Sequence, residues 1–190
     1  MQTEIKIIKS LIVNKESTIR ELAKQIKADY RITHIALQRL IKKDIVRVRT
    51  IGKSKLCSLN REHFSSDIYN AEDERKSELL KNKDIDQLLK QILYKIKTGF
   101  FSLLLFGSYA KKTQTKNSDI DLIFIFKDAG FEDKVKEILS LIPLKTHSLV
   151  FSEEEFIRMK DSKEPNVIKE ALEKYVILYN IEGFYRIKNA

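Results

Sequence analysis

Asp119 and Asp121 flank a single isoleucine, and Gly107-Ser108 begins twelve residues before the first of them. In an extended chain successive side chains alternate, so the two carboxylates point to one side. Held together they repel, and a divalent cation relieves that repulsion. Oxygen-only ligands suit Mg²⁺ or Mn²⁺, and Mg²⁺ commonly shares its coordination shell with substrate phosphates. Gly107-Ser108 ends an apolar run and is expected to open a helix. There, backbone N–H groups and a hydroxyl can hold phosphate, and glycine lets the phosphate come close. A phosphate cradle facing a metal-binding carboxylate pair is equipment for phosphoryl or nucleotidyl transfer. Two apolar runs, residues 103–106 and 122–126, must position these groups, and both have the length and composition of buried strands.

Gly107-Ser108-Tyr109-Ala110 and Ser118-Asp119-Ile120-Asp121-Leu122, with strands on both sides, resemble the signature of the nucleotidyltransferase superfamily that includes DNA polymerase β. The likeness is greatest to its small prokaryotic members. It implies that Asp119 and Asp121 hold Mg²⁺ (or Mn²⁺) and are catalytic. It implies that Gly107 and Ser108 bind the triphosphate of an NTP, ATP first among them, and that Lys111 assists. Two departures stand out. Family members often have Arg-Gly after the Tyr-Ala, where this chain has Lys111-Lys112. Active members usually carry a third acidic residue on the next strand. In Thr146-His147-Ser148-Leu149-Val150 that place falls to His147 or Ser148, with Ser148 the better aligned, and neither is acidic. Binding of Mg²⁺–NTP is therefore better supported than fast transfer.

The 190 residues allow one or two domains, and 43% hydrophobic with 33% charged residues fits a globular chain. No apolar run reaches the length of a membrane helix, and the N-terminus lacks the form of a signal peptide, so a cytoplasmic protein is expected. One cysteine and three scattered histidines provide neither a disulfide framework nor a zinc motif. The charge is unevenly placed. Residues 1–60 hold 14 Lys and Arg against 5 Asp and Glu, whereas residues 61–190 hold 22 of each. The whole net charge of +9 thus lies in the first third, which suggests a polyanion partner.

That basic third reads as three helices, at about 4–13, from Thr18 to about 27, and at about 32–43, followed by strands at 45–48 and 56–59. Thr18 and Glu21 have the spacing of a capping box. In the third helix Thr33, Ala36, Leu37, Leu40 and Ile41 form an inner stripe, with Arg31, His34, Gln38 and Lys42 on the other face. The arrangement resembles a winged helix-turn-helix domain. A helix fits the major groove and its outward polar side chains reach base edges. Arg47, Arg49, Lys53 and Lys55 around the wing can neutralise phosphates.

Residues 61–76 are polar and aperiodic, and read as a linker or an irregular helix. Beyond them Ile85, Leu88, Leu89, Ile92, Leu93 and Ile96 mark an amphipathic helix ending near 97. Later elements are a helix at about 132–141, a strand at 145–151, a helix capped by Ser152, and a helix at about 165–175. The tail from Ile177 resembles the C-terminal ends of the same small nucleotidyltransferase-domain proteins.

The expected fold class is α+β: a winged helix-turn-helix domain over 1–60, a linker over 61–77, and a nucleotidyltransferase-like domain over 78–190 with a small mixed β-sheet flanked by helices. The expected partners are double-stranded DNA and an NTP, with no membrane; a homodimer is compatible with the amphipathic stripes. The function that follows is a DNA-binding protein that binds Mg²⁺–NTP, with transfer to an acceptor hydroxyl left open. The alternative is a transcriptional regulator whose transferase-like domain is inactive and serves as a nucleotide sensor or a dimerisation module.

Overall fold

Buried isoleucines and leucines at helical spacing, Ile5, Ile8 and Leu11, set the inner face of the first helix, α1 (Gln2–Asn14). A short strand, β1 (Glu16–Thr18), leads into α2 (Ile19–Gln25), whose start is closed by the capping box. The Glu21 amide donates to Thr18 Oγ1 at 3.3 Å, and the Thr18 amide donates to Glu21 Oε2 at 2.7 Å. Asp29 caps α3 (Tyr30–Lys42), accepting from the Arg31 amide at 2.7 Å, so this helix begins two residues earlier than the sequence pattern suggested. The strands β2 (Val46–Ile51) and β3 (Ser54–Leu59) form the wing.

The computed structural model describes residues 2–60, 62, 65–98, 100–127 and 130–190. Its chain divides into two compact units, Met1–Glu74 and Arg75–Ala190. In the first, β3 lies between β1 and β2, antiparallel to both. Helix, strand, two helices and a hairpin, in that order, are a winged helix-turn-helix. The wing is longer than its sequence suggested. Ile51 pairs with Ser54, so only Gly52 and Lys53 make the turn, and Arg49 and Lys55 lie within strands. Gly52 takes φ +57°, which suits glycine at so tight a reversal. Cys57, at the middle of β3, is fully buried, and burial pushes its thiol pKa up.

Helix α4 (Ser66–Leu79) occupies most of the stretch that reads as a linker or an irregular helix. Residues 61, 63 and 64 of that stretch lie outside the described residues. Ile68 and Ala71 are buried, too few apolar positions to give a visible period. The division between the units falls within this helix.

The second unit is a four-stranded sheet with helices on both faces. Its strands are β4 (Phe101–Phe106), β5 (Ile120–Phe126), β6 (Thr146–Ser152) and β7 (Val176–Tyr179), in the order β6-β5-β4-β7. β5 and β6 are parallel; β4 is antiparallel to both β5 and β7. Leu103, Leu105, Leu122, Phe124 and Phe126 face α5 (Lys83–Lys95) and α7 (Glu132–Ser140). Leu104, Phe106, Ile123 and Ile125 face α8 (Glu153–Asp161), α9 (Val167–Ala171) and α10 (Ile181–Asn189). Between β4 and β5 lies the single-turn helix α6 (Gly107–Lys111). β4 and β5 carry apolar side chains on both faces because both faces are covered, as their unbroken apolar runs suggested.

Candidate functional site

β4 delivers the chain directly into α6, and the reversal requires φ +66° at Gly107. Left-handed backbone is open to glycine without a Cβ penalty. A second demand falls on the same residue. A Cβ built on Gly107 would lie 1.9 Å from Asp121 Oδ2 and 2.8 Å from Asp121 Cγ. The Asp121 carboxylate therefore rests against the bare Cα face of Gly107. Register explains the meeting: Phe106, the last residue of β4, pairs with Asp121 on β5. The glycine and the carboxylate, fourteen residues apart in sequence, are thus neighbours across two adjacent strands.

Asp121 is half-buried and in phase with Ile123 and Ile125, so it belongs to the face covered by α8, α9 and α10. Asp119 is exposed, one residue before β5 begins. A compact turn precedes it, in which the Thr115 amide donates to Ser118 Oγ at 2.9 Å. The amide of Ile120, between the two aspartates, donates to the Lys145 carbonyl at 2.9 Å and fixes the start of the strand. Ser108 is in the first turn of α6, where N–H groups have no partner within the helix. Lys111, at the end of that turn, is exposed, with Nζ 3.7 Å from Glu170 Oε1 on α9. At that separation and exposure the pairing is weak.

The parallel register settles which residue stands beside the aspartates on β6. Asp121 pairs with His147, and His147 Nδ1 lies 3.3 Å from Asp121 Oδ1. Ser148 pairs with Leu122, which belongs to the opposite face with α5 and α7. The better alignment given to Ser148 from sequence is therefore corrected. Alternation along the strand places its side chain away from the carboxylates. Glu153, Glu154 and Glu155 form the first turn of α8. Hydrogen bonds from Ser152 hold the Glu155 carboxyl below its ordinary pKa. Among the described residues no three His, Cys, Asp or Glu side chains converge closely enough to enclose a metal ion by themselves. The arrangement fits an ion completed by substrate phosphates. It supplies hard carboxylate oxygens, one half-buried and one exposed, beside a glycine with no side chain.

The winged-helix unit places the other candidate residues. Arg31, Gln38 and Lys42 are exposed on α3, opposite the buried stripe of Thr33, Ala36, Leu37 and Leu40. Ile41, expected in that stripe, is half-exposed at its edge, as is His34, whose ring stacks on Tyr30 with centroids 6.2 Å apart. The four wing cations divide into two pairs. Arg49 donates to Glu16 from Nε at 3.1 Å and from Nη2 at 2.5 Å, and Arg47 donates to Glu62 at 2.7 Å. Lys53 and Lys55 have no ion pair among the described residues. They line a cleft of about 360 Å³ with Thr18, Ile19, Arg20, Tyr30 and Ser54. Sequence reasoning missed Arg20 and Tyr30 because each is an isolated residue near a helix start. Only the short β1 strand, which is polar and three residues long, brings α2 beside the wing.

A Gly-Ser turn after a buried strand, set against an Asp-x-Asp strand in a mixed sheet, defines a nucleotidyltransferase-type domain. Residues 87–182, just over half of the chain, match the family described as polymerase beta, nucleotidyltransferase, and the chain belongs to that family. No curated protein matches the chain. Among solved structures, one similar to it is that of TrmBL2, described as an archaeal chromatin protein with a novel mode of DNA binding. The likeness covers 90% of this chain and 70% of that one, at 20% identity and a TM-score of 0.30, too low to carry fold or function across. No helix among the described residues is long and apolar enough to cross a membrane.

Proposed function

We propose that this protein binds duplex DNA through its winged-helix unit and binds a metal–nucleoside triphosphate through its nucleotidyltransferase domain. Asp119 and Asp121 are the metal carboxylates. Gly107 and Ser108 receive the phosphates, and Lys111 adds positive charge beside them. ATP is the first nucleotide to test, and a cytoplasmic setting suits both ligands. The observation that carries the nucleotide reading is the contact between Gly107 and Asp121. A left-handed glycine and a half-buried carboxylate have been brought together where any side chain would fill the space. A bound Mg²⁺ or Mn²⁺ would neutralise the carboxylates and polarise the phosphates for attack by an acceptor hydroxyl. The chain's own residues orient the triphosphate and hold the acids on one side of β5.

A second reading is favoured by His147. The strand position beside Asp121 holds an imidazole where active relatives usually have a carboxylate, which suits nucleotide sensing with slow or no transfer. DNA binding is supported by the basic excess in residues 1–60 and by the exposed Arg31, Gln38, Lys42, Lys53 and Lys55.

The test is the double variant Asp119→Asn with Asp121→Asn. In the parent, Mg²⁺–ATP should stabilise the fold by about 2.7 kcal/mol at a hundredfold excess over the dissociation constant. The double variant should lose the metal-dependent part of that gain and keep its affinity for duplex DNA. An unchanged Mg²⁺–ATP gain in the variant refutes the metal site. Release of pyrophosphate from ATP by the parent selects transfer over sensing.

A further inference from the structure

Arg31, Ile35, Gln38 and Lys42 follow one another at spacings of four, three and four residues, which places them in single file along a helix. All four are exposed, directly opposite the buried stripe of α3. Ile35 is therefore an apolar side chain, 47% exposed, within a file whose other members are polar; Ile32, 54% exposed, lies off the axis of the file and lines a shallow cleft with Ile35 and Arg39. The sequence pattern singled out the other three and passed over it.

The chemistry of that file is specific. The edge of an A·T pair in the major groove presents adenine N6 and N7, which a glutamine amide can bond in bidentate fashion. It also presents the C5-methyl of thymine, which an aliphatic side chain can pack against. Gln38 and Ile35 stand three residues apart on a helix, so their Cβ atoms lie about 5–6 Å from each other. Base pairs are stacked 3.4 Å apart along each strand, so the two side chains would reach edges one or two steps from each other.

The charges favour DNA as the occupant of this face. Arg31 and Lys42, at either end of the file, have no ion pair among the described residues. Arg39 and Lys43, off its axis, share Glu4 at 3.5 and 3.6 Å, and Lys43 also pairs with Asp67 at 3.0 Å. The outward file thus keeps its positive charge while the adjacent edge is neutralised.

We propose that Ile35 is a specificity residue that packs against a thymine C5-methyl within one or two base pairs of an adenine read by Gln38. The proposal rests on the DNA-binding reading above and adds to it a base preference for A·T at two neighbouring positions.

The experiment uses the full chain. Preferred duplexes are selected from a randomised pool, and each thymine of the best site is then replaced singly by deoxyuridine, which removes only the methyl. Loss of one buried methyl contact should weaken binding about fourfold at one thymine. Ile35→Ala should bind the thymine and uracil duplexes equally while keeping the salt dependence of the parent. Gln38→Ala should lose the neighbouring adenine preference. Ile35 is exposed and alanine favours helix, so the variant should fold, and circular dichroism checks this. Binding in which every thymine-to-uracil replacement is neutral overturns the proposal alone. The same holds if Ile35→Ala keeps the parent's discrimination, or if it dissociates a dimer without changing base preference. Absence of binding to any duplex overturns the DNA-binding reading and this proposal with it.

Discussion

Replacing Gly107 with alanine tests the central contact of the nucleotide site. Two costs follow from the structure. Left-handed backbone at φ +66° costs an alanine about 1–2 kcal/mol relative to glycine. The new methyl would also sit 1.9 Å from Asp121 Oδ2, so the carboxylate must retreat by about 1.5 Å to reach ordinary contact at 3.4 Å. Disturbing the groups that orient a metal ligand typically costs about 10–100-fold in metal affinity. A ligand at a hundredfold excess over its dissociation constant stabilises the parent by about 2.7 kcal/mol. After a hundredfold loss of affinity the same concentration gives about 0.4 kcal/mol. Urea unfolding with and without Mg²⁺–ATP measures both effects. Gly52→Ala is the matched control, because Gly52 has a similar φ of +57° but nothing within 4 Å of its Cβ position. It should carry only the backbone cost and leave the nucleotide gain whole. If Gly107→Ala keeps a nucleotide gain within about 0.5 kcal/mol of the parent's, the carboxylate seated on the glycine is not part of a nucleotide site.

On β6, His147→Asp puts a carboxylate on the Asp121 side and should strengthen Mn²⁺ binding, read by electron paramagnetic resonance. Ser148→Asp faces α5 and α7 and should not; equal gains would refute the register argument. In the wing, Lys53→Ala with Lys55→Ala should reduce the salt slope of duplex binding by about 2, near one ion per lysine. Arg47→Ala with Arg49→Ala should change it less, since Glu62 and Glu16 already engage those guanidinium groups, and a reversed order would refute the division. The depressed pKa of Glu155 contributes stability that is present above the ordinary carboxylate pKa of about 4.3 and is lost as pH falls through the folded value. Glu155→Gln should therefore be less stable than the parent at neutral pH and converge with it in acid. A gap that persists in acid would show that the charge is not responsible.

The parts legible in the sequence were those written in local chemistry. The capping box at Thr18, the helix cap at Ser152, the apolar runs of β4 and β5, and the amphipathic α5 each declare themselves within a few residues. The missed parts depend on distant partners. β1 has three residues and exists because β3 offers it an edge; β7 lies in the C-terminal tail, and it is a strand because β4 pairs with it. Helix 165–175 was expected to be longer than α9, which ends at Ala171. At the site, Asp-x-Asp spacing made the carboxylates visible, but not the choice between His147 and Ser148, because strand register is set by pairing. The neutralised arginines of the wing were hidden for the same reason: Glu16 stands 33 residues before Arg49.

Cys57 gives the chain a built-in reporter. It is the single cysteine of the sequence, buried in the central strand of the winged-helix sheet, and the other unit has none. A thiol reagent can reach it only when that sheet opens, so the labelling rate measures the opening free energy of the first unit alone. Duplex DNA that closes on the wing should slow the labelling. A nucleotide bound in the second unit would slow it only if the two units exchange stability, which turns one thiol into a direct gauge of coupling between them.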